Sequence, residues 1–479
     1  CSRARARGTG TPGRRSAPPP SRRSGMLALL LCGIAFVGAY VAGRRSLVAG
    51  IGAVLTAGYF YGITRANVTS TFSHFIFDAA VMGLYLTQLL KPFPPEDLGR
   101  TRQLRHWTVL LIGWPLLMLL VPLQDPMVQL VGLRANVFFV PFLLLGARLH
   151  RDDFYALARV LAVLNLVAFA FALGEFFLGL PYFYPRNDVT DIIYRSNDIR
   201  ATGSLLGAFR IPATFPNSSV YASTMVVTVP VLLGGWLEKR THRDGLLLTG
   251  ALFATVLGVF LSASRTSLLL LFVLLMATMI SGRMGAFGRV AWIFMLVGIG
   301  WVVSINERLF LRLMSLSPDT IIERISWSMN RGVFDYVAKY PMGNGLGGGG
   351  NSIPHFLIHL VRNPMPVENQ YATIMLEQGT PGLLVWLAFI AWVLTRPLGP
   401  RSDSWRFPRL LARIACALYL ATGFIGVGLF TAVPFSSMLF MWMAWLAVPA
   451  RREAEAPVPL RAAYRPEPRP AYRHPRPAT

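Results

Sequence analysis

Charged residues are scarce in this chain, at 14% of 479 residues, whereas a soluble domain of ordinary composition carries about a quarter. The shortage is concentrated in long apolar runs, and a helix needs roughly 20 such residues to cross a bilayer. An array of soluble domains is therefore excluded. The sequence instead predicts an all-α fold, a polytopic transmembrane helical bundle of about twelve spans with a long extracytoplasmic loop.

Cysteine is also rare, since Cys1, Cys32 and Cys416 are the only three residues of this type. They lie far apart in the sequence, and two of them fall within apolar runs. This spacing excludes a disulfide framework and a cysteine metal site. We expect neither a metal ion nor an organic cofactor.

Negative charge is outnumbered, with 46 Lys and Arg against 22 Asp and Glu, and the net charge is +24. The arginines gather near the two chain ends and in short loops, as the positive-inside rule predicts for a many-span membrane protein. No basic surface interleaved with aromatic residues occurs on a soluble module. We therefore expect contacts with membrane lipids and none with nucleic acid.

The chain divides into two tails and one membrane domain. Residues 1–25 and 450–479 are rich in Pro and Arg and predict disordered basic tails on the cytoplasmic side. Residues 26–449 form the transmembrane domain between them. Its apolar runs lie at 26–43, 46–63, 70–90, 107–124, 127–146, 154–180, 217–237, 246–262, 266–280, 290–305, 368–395, 410–431 and 433–449.

The arginine content of the loops predicts which side of the membrane each loop faces. Arginine-bearing loops are expected in the cytoplasm, namely 91–106, 147–153, 238–245, 281–289 and 396–409. The complementary segments then face the extracytoplasmic side, namely 181–216, the turn at 263–265, and 306–367. If every run spanned, the N-terminal tail would lie outside, against the rule. We therefore expect one of the first two runs not to span.

Four arginines of the predicted outer segments are candidates for a ligand site: Arg210, Arg265, Arg324 and Arg331. The last two fall within residues 318–340, whose apolar spacing predicts an amphipathic helix on the membrane surface or over a cavity. Arginine suits a diphosphate because its planar fork donates two hydrogen bonds and keeps its charge. Each arginine alone is better explained by lipid headgroups, whereas together they predict a site for an anionic ligand.

Further candidates follow the predicted amphipathic helix. Residues 341–350 are glycine-rich without the Lys of a nucleotide P-loop, and predict either a flexible loop or a backbone that approaches a sugar or phosphate closely. Glu368 opens the next run, with Asn369 beside it. Its carboxylate could be the base that takes a proton from an acceptor hydroxyl, or it could cap the N-terminus of the helix. His355 and His359 lie nearby, as ligand-binding or packing residues.

Among the ionisable residues inside predicted spans are His74, Asp78, Arg134 and Glu175. Such groups are costly in a bilayer, so a function is the first hypothesis. They predict either the proton relay of a secondary transporter or pairs that lock the bundle. The sequence shows no internal repeat of the kind found in many transporters.

The motifs of the outer segments follow one another in a recognisable order. Glu368-Asn369 precedes nine residues and then Gly379-Thr-Pro-Gly382, and residues 340–347 read Tyr-Pro-Met-Gly-Asn-Gly-Leu-Gly. Arg324 and Trp327, Ser264-Arg265, and the segment 210–217 come before them. This set, within residues 200–395, resembles the bacterial O-antigen ligase and polymerase family of polytopic membrane proteins.

The resemblance implies a membrane glycosyltransferase of the GT-C type that takes an undecaprenyl-diphosphate-linked glycan donor without a metal ion. Arg210, Arg265 and Arg324 then bind the diphosphate leaving group, and the catalytic base falls on Glu368. Arg331, Asn369, His355 and His359 complete the expected substrate-binding set.

The ligases of this family have His at the position of Glu368. This departure favours a polymerase of O-antigen or exopolysaccharide repeats, on the periplasmic face of the inner membrane, with a glycan as acceptor. A ligase that transfers polymer to lipid A-core or to a protein remains the alternative, and a secondary transporter is the third reading. The family also implies a flippase and a chain-length regulator as partners.

Overall fold

The computed structural model of the chain contains helices and no strand within the residues that it describes. These are residues 22–91, 95–187, 190–191, 193–194, 210–281, 333–350, 353–354, 357–365, 367 and 369–448, with four isolated residues between 297 and 326. Several predicted features lie outside the described residues: Arg324, Arg331, His355, Glu368, residues 1–21, the C-terminal tail, and most of the predicted amphipathic helix.

The described residues form sixteen α-helices. They are α1 (Arg22–Arg45), α2 (Leu47–Tyr59), α3 (Tyr61–Asn67), α4 (Ile76–Leu89), α5 (Pro95–Arg100), α6 (Arg102–Leu119), α7 (Pro126–Val137), α8 (Phe142–Ala147), α9 (Arg151–Leu178), α10 (Ser218–Leu237), α11 (His242–Ser262), α12 (Arg265–Ile280), α13 (Asp335–Lys339), α14 (Gln370–Thr395), α15 (Arg406–Thr422) and α16 (Phe435–Ala447).

Six segments of the described chain are long and apolar enough to cross a membrane: α1, α7 together with α8, α9, α10, α11 and α14. The pair α2 and α3, bent by 47°, makes a seventh if it is one span, and α12 and α16 are shorter apolar helices. The chain is thus the all-helical, multi-pass membrane protein that its sequence predicts.

The connections gather at the two ends of the bundle. At the lower end, where α10 ends and α11 begins, Glu238 accepts hydrogen bonds from Arg151 and from Nε1 of Trp405. Arg240 pairs with Asp152 at the same end. These contacts bring together three of the arginine-bearing loops that the sequence assigns to one side, 147–153, 238–245 and 396–409.

The first helix runs in an unexpected direction. Sγ of Cys32 donates to the carbonyl of Phe72, just before α4, and Nζ of Lys91, just after α4, donates to the carbonyl of Gly43. α1 therefore runs parallel to α4 and begins at the upper end, opposite the basic loops. Both N-terminal apolar runs lie in helices of the bundle. That one of them does not span stays a prediction, because the bent pair α2 and α3 is either one broken span or a re-entrant loop. Leu30 is 59% exposed, as suits a helix that faces lipid.

Candidate functional site

Arg210 and Arg265 lie on neighbouring stretches of backbone at the upper end. The N–H of Ile211 donates to the carbonyl of Leu261, at 3.4 Å, in the last turn of α11. Arg265 begins α12 only three residues after the end of α11, and both arginines are half-buried. The structure therefore brings together two of the four arginines predicted from the sequence.

The segment that follows Arg210 is buried, and a carboxylate of α9 holds it by a hydrogen bond. Residues 211–215 are buried, and Ala213 has a φ of 52°, a left-handed conformation that is uncommon without glycine. Oε2 of Glu175 accepts the N–H of Ala213 at 3.0 Å. Tyr184 donates its hydroxyl to the carbonyls of Ala213 and Phe215, at 2.6 and 2.9 Å. These bonds set the path of the backbone that carries Arg210.

The same segment packs against α3. The N–H of Ile63 donates to the carbonyl of Thr214 at 3.0 Å. A Cβ on Gly62 would lie 2.1 Å from the carbonyl carbon of Phe215, so only glycine permits this approach. The segment predicted as part of an extracytoplasmic loop is thus built into the upper end of the bundle.

The start of α12 favours an anion. Ala263 has a φ of 50° and turns the chain sharply between α11 and α12. Ser264 occupies the N-cap position and accepts no backbone N–H of the helix with its side chain; its hydroxyl donates to the hydroxyl of Ser267 at 3.2 Å. The positive end of the helix dipole and the Arg265 guanidinium therefore act in the same direction.

The last turn of α15 connects the start of α12 to the start of α14. The hydroxyls of Ser223 and Ser267 lie 3.4 Å apart, and Tyr419 donates its hydroxyl to the carbonyl of Ser223 at 3.2 Å. Tyr371, in the first turn of α14, donates its hydroxyl to the carbonyl of Leu420 at 2.7 Å. Arg265 and the first turn of α14 therefore belong to one end of the bundle.

Asn369 caps α14. Its side-chain oxygen accepts the N–H groups of Tyr371 and Ala372, at 2.8 and 3.1 Å, and the residue is 1% exposed. The capping role that the sequence leaves open for Glu368 thus belongs to its neighbour. Asn369 itself has a structural function, and its contact with substrate stays a prediction.

The glycine-rich segment is buried against α14. The N–H of Asn344 donates to the carbonyl of Leu376 at 2.5 Å, and residues 344–349 are buried. α14 is kinked at Gly379, where φ is 73°, and a Cβ there would lie 2.7 Å from the backbone of Met342. The segment is therefore packed within the bundle, and Gly343 and Gly347 permit close approach to other backbone. An approach of this segment to a sugar or phosphate stays a prediction.

His359 lies on another part of the upper end. It is exposed in a short 3-10 turn, Ile358–Leu360. The backbone N–H of Arg362, just after this turn, donates to Oε1 of Gln124 at 2.8 Å, ahead of α7. His359 is thus placed beside the beginning of α7.

Three of the ionisable residues predicted inside spans hold the bundle together. Arg134 and Asp78 form a two-bond ion pair, with N–O distances of 2.7 and 2.5 Å, between α7 and α4. Glu175 holds Ala213, as described above. Of the two readings left open by the sequence, this arrangement favours the locking of helices over a proton relay.

A third intramembrane carboxylate, in addition to Asp78 and Glu175, was not predicted from the sequence. Glu377 in α14 is 2% exposed, and Nδ2 of Asn136 in α7 donates to its Oε2 at 2.5 Å. Nε2 of Gln378 donates to Oδ1 of Asn136 at 2.7 Å. The detectable signal was an acidic residue inside the apolar run 368–395, since such residues are costly in a bilayer.

Within the described residues, no group of three or more His, Cys, Asp or Glu side chains is placed to hold a metal ion. A comparison of the chain with known protein families, with curated proteins and with solved structures finds no match.

Proposed function

We propose that the chain is a membrane glycosyltransferase that polymerises undecaprenyl-diphosphate-linked oligosaccharide repeats, as an O-antigen or exopolysaccharide polymerase. A bundle of about twelve spans of the GT-C type is part of this proposal. The observation that supports it is the juxtaposition of Arg210 and Arg265, joined through the backbone bond between Ile211 and Leu261. The backbone segments that carry the two arginines are thereby neighbours at the end of the bundle where α14 begins.

The two arginines suit a diphosphate leaving group. Nε of Arg210 is buried without a hydrogen-bond partner among the described residues, so it retains a donor for a ligand. Arg265 adds a second fixed positive charge at the N-terminus of α12. Both stabilise the negative charge that develops on the diphosphate as the anomeric bond breaks.

The proposed reaction is a direct glycosyl transfer. The oxygen of the acceptor hydroxyl attacks the anomeric carbon, and the bond from that carbon to the diphosphate oxygen breaks. The hydroxyl proton passes to the carboxylate of Glu368, which directly precedes the Asn369 cap in the sequence. The lipid diphosphate leaves with its charge balanced by the arginines.

The proposed sidedness follows from the charge of the loops. The lower end carries Arg151 and Arg240 and is assigned to the cytoplasm of the inner membrane. The upper end, with Arg210 and Arg265, then faces the periplasm, where lipid-linked repeats meet their acceptor.

The test is polymerisation by the purified full chain in lipid nanodiscs, supplied with lipid-linked repeat units extracted from the host. The expected product is a ladder of long glycans on the carrier lipid. Arg210→Ala and Arg265→Ala should each reduce its rate by about 100-fold or more, as expected when a donor to a developing charge is removed. Arg240→Ala, at the lower end, is the matched control and should keep the wild-type rate.

The other readings give different results in this assay. Transfer of finished polymer to added lipid A-core, without growth of the ladder, would identify a ligase. A wild-type protein that makes no glycan bond with either acceptor would contradict the proposed transferase, and a membrane-potential-driven uptake of solute would then support the transporter.

A further inference from the structure

A polar cavity lies between α7, α14 and the connection from α15 to α16. It contains about 540 Å³ of space, including the part that opens to the surroundings. Its polar lining residues are Asn136, Gln370, Thr373, Glu377 and Thr431, and Trp386 forms part of its wall. Neither the arginines nor the capping residue of the proposed active site belongs to this lining.

Trp386 lies in the wall of this cavity and has a buried indole N–H. The residue is 2% exposed, and its Nε1–H has no hydrogen-bond partner among the described residues. Its ring is stacked on Phe430, with 4.5 Å between the ring centroids, so the indole is held in place. A buried N–H without an acceptor is destabilising, and an acceptor group of a bound molecule would remove this cost.

Glu377 provides a hydrogen-bond acceptor, in contrast to the Trp386 donor. Oε2 accepts from Asn136 at 2.5 Å, and a Cβ on Gly349 would lie 3.3 Å from Oε1. The glycine-rich segment thus leaves this carboxylate just enough room. Thr373 adds a hydroxyl one turn nearer the start of α14.

The chemistry of the lining selects among ligand classes. None of the residues that line the cavity carries a positive charge, so it does not suit a phosphate. A cation prefers convergent oxygen acceptors, whereas this wall mixes donors such as Trp386 with acceptors such as Glu377. Hydroxyl groups both donate and accept, and they match such a mixed wall.

The cavity begins next to the proposed active site. Gln370 and Gly428 lie in its wall at the upper end, where the N–H of Gly428 donates to Oε1 of Gln370 at 3.0 Å. Glu377 follows Gln370 by seven residues, which is about 10 Å along an α-helix. A molecule that enters beside the start of α14 therefore reaches the carboxylate within the length of one or two sugar residues.

We propose that this cavity is a subsite for an uncharged, hydroxyl-rich sugar residue of the glycan. Its place in the reaction rests on the proposed function, since a sugar held here lies next to the start of α14 while the arginines hold the diphosphate. The arginines then contact the diphosphate, and the mixed hydrogen-bonding groups of the cavity wall contact the sugar.

The test measures binding of free oligosaccharide, without lipid or diphosphate, to the full chain in nanodiscs. The probe is the repeat unit released by mild acid from the surface polysaccharide of the host, and binding is followed by saturation-transfer NMR. Trp386→Phe keeps the ring and removes the N–H, and Thr373→Val removes a hydroxyl at nearly constant volume. Each should weaken binding by about fivefold or more.

Matched controls lie on the same helix. Trp392→Phe and Thr395→Val repeat both substitutions near the lower end of α14, outside the cavity lining, and should leave binding unchanged. All variants are compared at equal amounts of folded protein, judged by gel filtration and melting temperature. No saturation transfer in the wild type, or equal binding by test and control variants, would overturn the subsite.

The failure of this proposal is distinct from failure of the proposed function. Polymerisation without oligosaccharide binding would overturn the subsite alone. Oligosaccharide binding that depends on Trp386 and Thr373, in a protein that transfers no sugar, would support the subsite and overturn the transferase.

Discussion

The N–H of Ala213 donates a 3.0 Å hydrogen bond to Oε2 of Glu175. This bond connects a carboxylate within α9 to a left-handed turn three residues after Arg210. A residue of a membrane span thereby determines the position of an arginine in the proposed diphosphate site.

Substitution of Glu175 tests this dependence. Glu175→Leu leaves the buried Ala213 N–H without an acceptor and should lower the free energy of unfolding by about 1–3 kcal/mol. It should also weaken the affinity for undecaprenyl diphosphate, because Arg210 is no longer held. Glu175→Gln retains an acceptor oxygen and should stay near the wild type in both measurements. Equal losses for the two variants would contradict the positioning role.

Close backbone packing of the glycine-rich segment gives a second prediction. A Cβ on Gly132 in α7 would lie 2.2 Å from the backbone nitrogen of Gly347. Gly132→Ala should therefore destabilise the protein by about 1–3 kcal/mol in thermal or denaturant unfolding, as overpacking does. Gly113→Ala in α6, where nothing lies within 4 Å, is the control and should be neutral or stabilising by about 0.5–1 kcal/mol. Equal effects would show that the segment is not packed there.

The ion pair of Asp78 and Arg134 gives a third prediction. Asp78→Asn removes one partner of a buried pair, a change worth at most about 3–5 kcal/mol. The loss should be smaller here because 37% of the Arg134 side chain is exposed. In the double variant Asp78→Asn, Arg134→Gln, the loss should be smaller than the sum of the single losses. The polymerisation rate per folded molecule should be retained. A complete loss of this activity in folded Asp78→Asn would favour the transporter.

The lower end makes a prediction about pH. Burial raises the pKa of Glu238, but hydrogen bonds from Arg151, Trp405 and Ser404 outweigh this effect and hold its pKa below the ordinary value. A carboxylate with a lowered pKa stabilises the fold fully above its unfolded pKa, about 4.3, and this contribution fades as pH falls through the folded pKa.

The measurement is the melting temperature between pH 7 and pH 3. Glu238→Gln should be less stable than the wild type at pH 7, and the difference should shrink below about pH 4.3. A difference that is constant across this range would show that the carboxylate charge does not contribute.

The positions of several helices can be predicted from the apolar runs of the sequence. The predicted runs 217–237 and 246–262 correspond to Ser218–Leu237 and His242–Ser262, because a span must be apolar along its whole length. The breaks within runs were not predicted. The run 127–146 is divided after Val137, and α14 is kinked at Gly379, where packing against Met342 determines the backbone.

The candidate site is less visible in the sequence. Arg210 and Arg265 were predicted, because a charged residue near a membrane face stands out against apolar neighbours. The bond between Asn136 and Glu377 joins residues 241 positions apart, and no local pattern encodes such a contact. The capping of α14 by Asn369 depends on the backbone conformation at one residue, which the sequence leaves open between Glu368 and Asn369.

The central claim is that Arg210 and Arg265 form one diphosphate site, and a double-mutant cycle tests it most directly. The affinity for undecaprenyl diphosphate would be measured in nanodiscs for the wild type, Arg210→Ala, Arg265→Ala and the double variant. Each single change should weaken binding by about tenfold or more, and the double change should cost less than the product of the two, because both arginines contact the same ligand. Wild-type affinity in both single variants, or losses that multiply as independent effects, would contradict the account.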